Sequence, residues 1–261
     1  MRRYTKILPH VLLTMILAMT VVATAYQSQN ALAADQLTLL NDNSRTWKGT
    51  SSGYHSPDGK WTIVHPGHGY AAVVSSNGHK IMQLRPEIYD SSRHSTLVTA
   101  RQVDWKGIHG VMSVRLDKQS SNPKSWDSFW PMLAYVDQTT HITLLIKSDG
   151  GGWMISKRDH DHAGQDLHEV LASGHTYFNS VVKGHWYKVE WWVYPHGDNL
   201  HIKVIVDGHT LMNKDDPGHW DRNGHKGSGT SSYFLNAAKT IGTYSEKSYT
   251  SWKDIRVDKL A

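Results

Sequence analysis

The chain has 261 residues, of which 39% are hydrophobic and 20% charged, and its mean hydropathy is −0.50. This balance excludes a membrane protein with several spans and a disordered chain, and the length suits one large all-β domain or two small ones. The net charge is +5, but the first 33 residues hold three basic and no acidic residues. The remainder carries only +2, so nucleic acid is not the predicted partner.

Residues 1–33 have the organisation of a signal peptide. Arg2, Arg3 and Lys6 precede a mainly apolar run from Val11 to Ala25, and Ala31-Leu32-Ala33 has the small-x-small pattern of a cleavage site. The apolar run is shorter than the ~20 residues of a membrane-spanning helix. We therefore expect a secreted protein that is not membrane-bound after cleavage. Because the sequence contains no cysteine, we expect the exported chain to be stabilised without disulfides, by burial alone or by burial together with a bound metal.

Residues 34–261 show no repeat or long linker and are predicted to form a single domain. Hydrophobic residues alternate with polar ones in most segments, which indicates half-buried antiparallel strands. Clear examples are Met112 to Leu116, Ile142 to Ile146, and Leu200 to Val206. Turn pairs such as Asn77-Gly78 and Asp207-Gly208 separate these segments. The pattern predicts an all-β fold, an antiparallel β-sandwich or jelly roll.

The order of several segments is similar to the concanavalin A-like sandwich superfamily. Within it, the chain resembles glycoside hydrolase family sixteen and the 3-keto-disaccharide hydrolase-like domain. The segments that carry the resemblance are Leu40 to Asp42, Asp58 to Ile63, Ser95 to Ala100, Gly110 to Leu116, Trp126 to Trp130, Gly184 to Glu190, Val206 to Gly208, Ile241 to Tyr244, and Trp252 to Val257. The resemblance implies a concanavalin A-like jelly roll whose ligand is a carbohydrate.

The sequence departs from family sixteen at the catalytic strand. That family carries Glu-x-Asp-x-x-Glu there, because retaining hydrolysis needs two carboxylates about 5 Å apart. When the strand is taken to begin at His141, the three carboxylate positions hold His141, Thr143 and Ile146. We therefore do not expect a retaining glucanase of this type.

Aromatic residues around the predicted hairpin are candidates for sugar stacking. Trp126 and Trp130 are four residues apart, so both rings share a face if the segment is extended. A flat indole covers the apolar C–H face of a sugar ring. Tyr135 and Trp153 flank the same hairpin. The alternative for each of these residues is a place in the core between the sheets.

Polar side chains on neighbouring strands are the second set of carbohydrate-binding candidates. His141, Thr143 and Lys147 share one face of their strand, and we expect Arg115 and Asp117 to lie beside them on a concave sheet. Cationic and hydroxyl groups there suit a polysaccharide, including an acidic one. The alternative is a solvated outer face.

Metal ligands are suggested at three places. His160 and His162 point the same way if their segment is extended, and His65 and His68 form a shorter histidine pair. The superfamily resemblance implies a structural calcium ion near the termini, with Asp42 and Asp254 as its ligands. The sequence names no further ligand for any of these sites.

Two kinds of enzyme are alternatives to a binding protein. Alginate lyases of this superfamily carry an Arg-x-Glu strand, a Gln-x-His strand and a Tyr-Phe-Lys segment. The chain has Arg85-Pro86-Glu87, His109 between two glycines in an apparent turn, and Tyr177-Phe178-Asn179. A lyase would need His109 and Tyr177 to converge on one sugar. For a hydrolase, the unassigned carboxylates are Glu87, Asp127, Asp137, Asp149 and Glu190.

The sequence thus predicts a secreted, monomeric β-sandwich that binds a polysaccharide or oligosaccharide. A polysaccharide-degrading lyase or hydrolase is one alternative, and a non-catalytic envelope or structural protein is the other.

Overall fold

The structure is a computed structural model that describes residues 36–89, 94–101, 104–159, 169–216, 219–220, 226–227 and 230–260. The predicted signal peptide lies outside these residues, and so do His160 and His162. Residues Leu37–Ala261 group into one compact unit. Among the described residues, no helix has the length and apolar character required to span a bilayer.

Strands account for nearly all regular structure in the described residues. In chain order they are β1 (Gln36–Leu40), β2 (Trp47–Gly49), β3 (Trp61–His65), β4 (Tyr70–Ser76), β5 (His79–Arg85), β6 (Ser95–Ala100), β7 (Gly107–Gln119), β8 (Phe129–Asp137), β9 (Thr140–Ile146), β10 (Trp153–Arg158), β11 (Glu169–Gly174), β12 (Trp186–His196), β13 (Asn199–Val206), β14 (His209–Asp215), β15 (His219–Trp220), β16 (Lys226–Gly227), β17 (Thr240–Glu246) and β18 (Ser248–Leu260). One short helix, α1 (Ser232–Asn236), precedes β17.

The strands form two large sheets and a two-stranded ribbon. The nine-stranded sheet has the order β14-β13-β12-β7-β18-β5-β4-β2, with β1 also paired to β18. The seven-stranded sheet has the order β11-β10-β9-β8-β17-β6-β3. Every pair of neighbours along these two orders is antiparallel. The predicted all-β antiparallel sandwich is confirmed.

Sequence alternation explains which face of each strand enters the core. On β13, Leu200, Ile202, Val204 and Val206 are fully buried, whereas His201 and Lys203 remain partly exposed. The turns follow the sequence as well. Asn77 and Gly78 both have positive φ, 51° and 83°, which is the type I′ geometry that closes the β4–β5 hairpin.

The core lies between the two sheets and contains large aromatic residues. The indole of Trp191 on β12 is fully buried and donates a 2.7 Å hydrogen bond to the carbonyl of Leu133 on β8, which links the sheets. Gly110 leaves room for this ring, since a Cβ there would lie 2.1 Å from the indole. The predicted turn around His109 is therefore wrong: His109 lies inside strand β7, and its glycine neighbour accommodates Trp191.

Candidate functional site

A cavity of about 200 Å³ opens on the outer face of the seven-stranded sheet. Its lining residues come from β3, β6, β8, β9, β10 and β17 and from the β8–β9 turn: His65, Ser95, Leu97, Trp130, Met132, Tyr135, Gln138, His141, Thr143, Arg158, Tyr244 and Glu246. Many of these residues alternate along their strands with residues of the core between the sheets, such as Val98 and Ile142. This alternation places the cavity on the side of the sheet away from the core.

An irregularity in β8 brings its aromatic residues to the cavity. The register with β9 shifts between Met132 and Ala134, which is typical of a β-bulge. Leu133 and Ala134 both enter the core, whereas Met132 and Tyr135 pack with Leu97 in a separate small cluster. Strict alternation would have turned Tyr135 inward, so the shift in register positions this ring at the site.

Aromatic rings form two walls of the cavity. On one side, Tyr244 meets Trp130 edge to face, with ring centroids 5.9 Å apart, and meets His65 in the same manner at 6.2 Å. On the other side, Tyr135 and His141 lie nearly parallel at 6.2 Å. Trp130 and Tyr135 are each 8% exposed, so these walls are held firmly by their neighbours.

Hydrogen-bonding groups occur between and beside these rings. The carboxylate of Glu246 accepts a 3.1 Å hydrogen bond from the Tyr244 hydroxyl. The Arg158 guanidinium donates to the backbone carbonyl of Gln138 at 3.3 Å. His141 Nδ1 lies 3.3 Å from the carbonyl of Asp137, and since a carbonyl can only accept, Nδ1 carries the proton. In the neutral ring, Nε2 of His141 is then an acceptor.

Burial sets the protonation of two rings at the site. Desolvation lowers the pKa of His65 below its ordinary value of 6.5. Desolvation, together with the negative charge of Asp137, raises the pKa of Tyr135 to about 12. At neutral pH the site therefore presents an uncharged His65 and a protonated phenol at Tyr135.

A second cavity, of about 550 Å³, adjoins the first and shares Tyr135 with it. Its lining includes Thr62, Thr99 and Arg101 from β3, β6 and the residue after β6. His55 is held there by a 2.9 Å contact between its Nδ1 and the Thr62 hydroxyl. The two cavities together are called here the outer groove, and Tyr135 belongs to the lining of both.

The aromatic candidates from the sequence separate into two groups. Trp130 and Tyr135 line the outer groove, with His141 beside them. Trp153 belongs to the core between the sheets, where its indole donates to the carbonyl of Thr176 at 3.1 Å. Trp126 lies in a turn before β8, so the expected extended segment with both indoles on one face is wrong. Its carbonyl accepts the hydrogen bond of the Trp130 indole at 3.0 Å.

The polar candidates are also divided between two surfaces. Arg115 and Asp117 lie on β7 of the nine-stranded sheet, so the expectation that they lie beside His141 is wrong. Lys147 follows the end of β9 and is not among the described residues that line the outer groove. Of this set, only His141 and Thr143 reach the site.

The residues of the lyase hypothesis are not brought together. His109 lies between Asp258 and Glu190, at 2.9 and 3.1 Å, on the outer face of the nine-stranded sheet. Tyr177 is 61% exposed, and its ring stacks on His209 at 3.9 Å. Their contacts with other side chains are separate, and no contact between His109 and Tyr177 of the kind a lyase would need is observed among the described residues.

The remaining acidic candidates have local partners. Glu87 lies within 4 Å of His68 and His94. Asp127 is 1% exposed and accepts from the Lys124 backbone at 2.9 Å, which fixes the turn before β8.

The calcium candidates Asp42 and Asp254 show no completed site. The Asp42 carboxylate accepts from the backbone of Lys80 at 3.2 Å, and Asp254 contacts Lys253. In the described part of the chain, three ligand-type side chains group together at two places, and neither includes these aspartates. Calcium at Asp42 and Asp254 stays a prediction.

Three residues of the first cavity were not predicted from the sequence as site residues: Tyr244, Glu246 and Arg158. Tyr244 and Glu246 are two apart on β17, so they share the face that meets the cavity. Thr243 and Ser245, which alternate with them along the strand, are fully buried. This alternation is the sequence signal that Tyr244 and Glu246 share the other face.

No family model matches the sequence, and no similar sequence was found among curated proteins. The fold is similar to several solved structures. These include a carbohydrate-binding module, CBM66 from Bacillus subtilis, with 9% identity, a TM-score of 0.46, and coverage of 77% of this chain and 96% of that one. The calcium-bound exoplasmic/lumenal domain of VIP36 has 7% identity and a TM-score of 0.46, covering 81% and 89%. The potassium-bound carbohydrate recognition domain of Emp46p has 11% identity and a TM-score of 0.48, covering 82% and 96%.

Proposed function

We propose that this protein is a secreted carbohydrate-binding β-sandwich that holds an oligosaccharide or polysaccharide in the outer groove. The observation that carries the proposal is the combination of aromatic walls with hydrogen-bonding groups around a single open cavity. Sugars offer both an apolar C–H face and a ring of hydroxyls, so a site for them needs flat rings and polar side chains together. Secretion rests on the signal-peptide pattern of residues 1–33.

The sizes of the two cavities suit a chain with an inserted end. At about 200 Å³ the first cavity is smaller than ordinary ligand pockets of ~300–1,000 Å³, so it suits a single sugar unit. The second cavity, of about 550 Å³, has room for the units that follow. Tyr135 lines both cavities, where its ring would contact both units.

The chemistry of the lining favours binding over hydrolysis. Glycoside hydrolysis requires two carboxyl groups, about 5 Å apart for retention or ~6.5–9.5 Å for inversion. Among the described residues that line the first cavity, the carboxylate is Glu246 alone. The described lining of the second cavity adds no carboxylate. Glu246 is suited to accept hydrogen bonds from sugar hydroxyls, and a charged acceptor of this kind contributes about 1.5–3 kcal/mol.

A matched pair of variants tests this proposal. The purified protein is titrated calorimetrically with a panel of neutral and acidic oligosaccharides, and the best binder is carried to Glu246→Gln and Glu190→Gln. Both changes remove one carboxylate charge, but Glu190 lies on the other sheet, against His109. We expect Glu246→Gln to weaken binding at least ~10-fold and Glu190→Gln to leave it unchanged.

Two results would contradict the assignment of the site or the function. If both variants weaken binding equally, or if only Glu190→Gln weakens it, the ligand does not bind in the outer groove. If the protein binds no member of the panel, the result would instead support a structural role. The same mixtures of protein and oligosaccharide are also incubated and assayed for products. New reducing ends without unsaturated uronate absorbance would indicate a hydrolase, and unsaturated uronate absorbance would indicate a lyase.

A further inference from the structure

Three ligand-type side chains meet where the chain crosses twice between the sheets. His68 lies in the turn between β3 and β4, Glu87 follows β5, and His94 precedes β6. The strands β3 and β6 belong to the seven-stranded sheet, and β4 and β5 to the nine-stranded sheet. We call His68, Glu87 and His94 the crossover triad. It is separate from the outer groove, and the proposed carbohydrate binding makes no use of it.

The backbone holds the triad in place. His68 adopts a left-handed conformation with a φ of 57°. The neighbouring Gly69 packs so closely on the end of β5 that a Cβ would lie 1.7 Å from the carbonyl oxygen of Arg85. The amide of Glu87 donates to the carbonyl of Gly67 at 2.9 Å. The turn that carries His68 is thus fixed to the segment that carries Glu87.

The separations within the triad fit a shared metal ion better than hydrogen bonds. His68 Nδ1 and His94 Nε2 lie 3.8 and 3.9 Å from the same oxygen of Glu87. These distances exceed the ~3.2 Å limit of ordinary N–H···O bonds. Two ligands about 2.1 Å from a tetrahedral metal ion lie about 3.4 Å from each other, so each of these two nitrogen–oxygen pairs would need to contract by about 0.5 Å to share an ion. All three ligand atoms lie within 4.8 Å of one another.

In the described part of the chain, a second cluster of two histidines and one aspartate has shorter separations between its side chains. There His201 Nδ1 lies 2.7 Å from Asp215, and its Nε2 lies 3.0 Å from Asn213. His196 Nδ1 lies 3.1 Å from both oxygens of the same carboxylate. These are hydrogen-bond distances, so the nitrogens and the carboxylate already satisfy one another. In the crossover triad the two nitrogen–oxygen separations, 3.8 and 3.9 Å, are longer than these.

We propose that the crossover triad binds one divalent transition-metal ion of the zinc class. Two imidazoles and one carboxylate are ligands that Zn²⁺ and its neighbours prefer, whereas calcium prefers oxygen alone. His68 and Glu87 also line a cavity of about 400 Å³, which gives a fourth position open to water. Because the ligands come from both crossovers, the ion would join the two sheets and stabilise the folded chain.

The test uses the metal itself as the probe. The purified protein is treated with a chelator, dialysed and titrated with CoCl₂, whose visible absorption reports its coordination, and then with ZnCl₂ as competitor. The variants are Glu87→Gln, which keeps the side-chain shape, and His68→Asn, because asparagine also tolerates left-handed φ. His196→Asn, in the second group, is the control for binding by surface histidines.

We expect one Co²⁺ per chain, displaced by Zn²⁺, and a melting temperature that rises with Zn²⁺ in the unmodified protein and in His196→Asn. Changes to residues that merely support a metal ligand cost 10–100-fold in affinity, so Glu87→Gln and His68→Asn should each lose at least ~100-fold. Melting without metal checks that both variants fold. Absence of saturable binding, binding unaffected by Glu87→Gln, or equal loss in His196→Asn would overturn the proposal.

Discussion

The outer faces of the two sheets carry similar residues and use them in opposite ways. Each face presents tryptophan, tyrosine, histidine, arginine and carboxylate side chains. On the nine-stranded sheet these groups contact one another, and on the seven-stranded sheet they surround the outer groove. The difference shows that residue type alone does not identify a binding surface. What matters is whether the rings and polar groups leave an open cavity between them, as they do at the outer groove.

The exposed ring faces of two tryptophans on the nine-stranded sheet are already in contact with neighbouring side chains. The ring of Trp186 has the Arg115 guanidinium 4.7 Å and the Lys253 ammonium 5.0 Å from its centroid. Trp192 stacks on His109 at 4.6 Å and also has the Lys203 ammonium 4.5 Å from its centroid. Cations over aromatic faces are attractive, and they occupy the surface on which a sugar would stack. This face is therefore stabilised by its own side chains.

The largest expected effect comes from breaking the polar network of the nine-stranded sheet. Asp117 accepts from Arg85 at 2.8 Å, Arg115 at 2.6 Å and Ser251 at 2.6 Å, and its side chain is 18% exposed. Replacing it with alanine leaves two largely buried guanidiniums without their shared acceptor. We expect Asp117→Ala to lower the free energy of unfolding by about 2–4 kcal/mol, measured by urea denaturation.

The same variant sharpens the comparison through what it should leave unchanged. Carbohydrate affinity, measured well below the unfolding transition, should stay within twofold of the unmodified protein because Asp117 is on the other sheet. A loss of affinity with the fold intact would mean that the nine-stranded sheet also contacts the ligand. It would then restore Arg115 as a binding residue.

The sequence predicted the fold well because alternation is a local signal. The inward sets on β7, β9 and β13 follow directly from a period of two, and the Asn77-Gly78 turn follows from its preference for positive φ. Which strands share a sheet is not local. Arg115 was predicted to lie beside His141, and this was wrong because β7 and β9 belong to different sheets.

The site could be predicted only in part for a related reason. Trp130 was predicted from its spacing to Trp126, and His141 from the alternation of Ile142, Leu144 and Ile146 with polar residues on the same strand. The inclusion of Tyr135 depends on a register shift in β8 that the sequence does not mark, and Trp126 was misplaced because the strand begins only at Phe129. The crossover triad joins three separate segments. The sequence suggested His68 as a metal ligand beside His65, and Glu87 only as a residue of a lyase or hydrolase, so it did not predict that His68 and Glu87 meet.

The second prediction, of intermediate size, removes an aromatic wall of the outer groove. Tyr244 contacts Trp130 and His65 and donates to Glu246. We expect Tyr244→Ala to weaken carbohydrate binding by about 1–2 kcal/mol, which is the range for losing an aromatic contact at a binding site. Calorimetric titration measures this change. Trp186→Ala provides the control, because that ring is already covered by Arg115 and Lys253.

The smallest effect, and the last, concerns the pH dependence of stability. Burial lowers the pKa of His65 below 6.5, so the folded protein binds fewer protons at this position than the unfolded chain as the pH falls through that region. The contribution of neutral His65 is therefore fully present above pH 6.5 and is lost as the pH falls from 6.5 through the folded pKa. Replacing His65 with glutamine removes this titration and keeps a polar side chain opposite Ser95. Urea denaturation of both proteins between about pH 7.5 and about pH 5 should show a shallower loss of stability for His65→Gln. Parallel curves would mean that His65 is not desolvated, and the cavity wall beside Tyr244 would then be open to water.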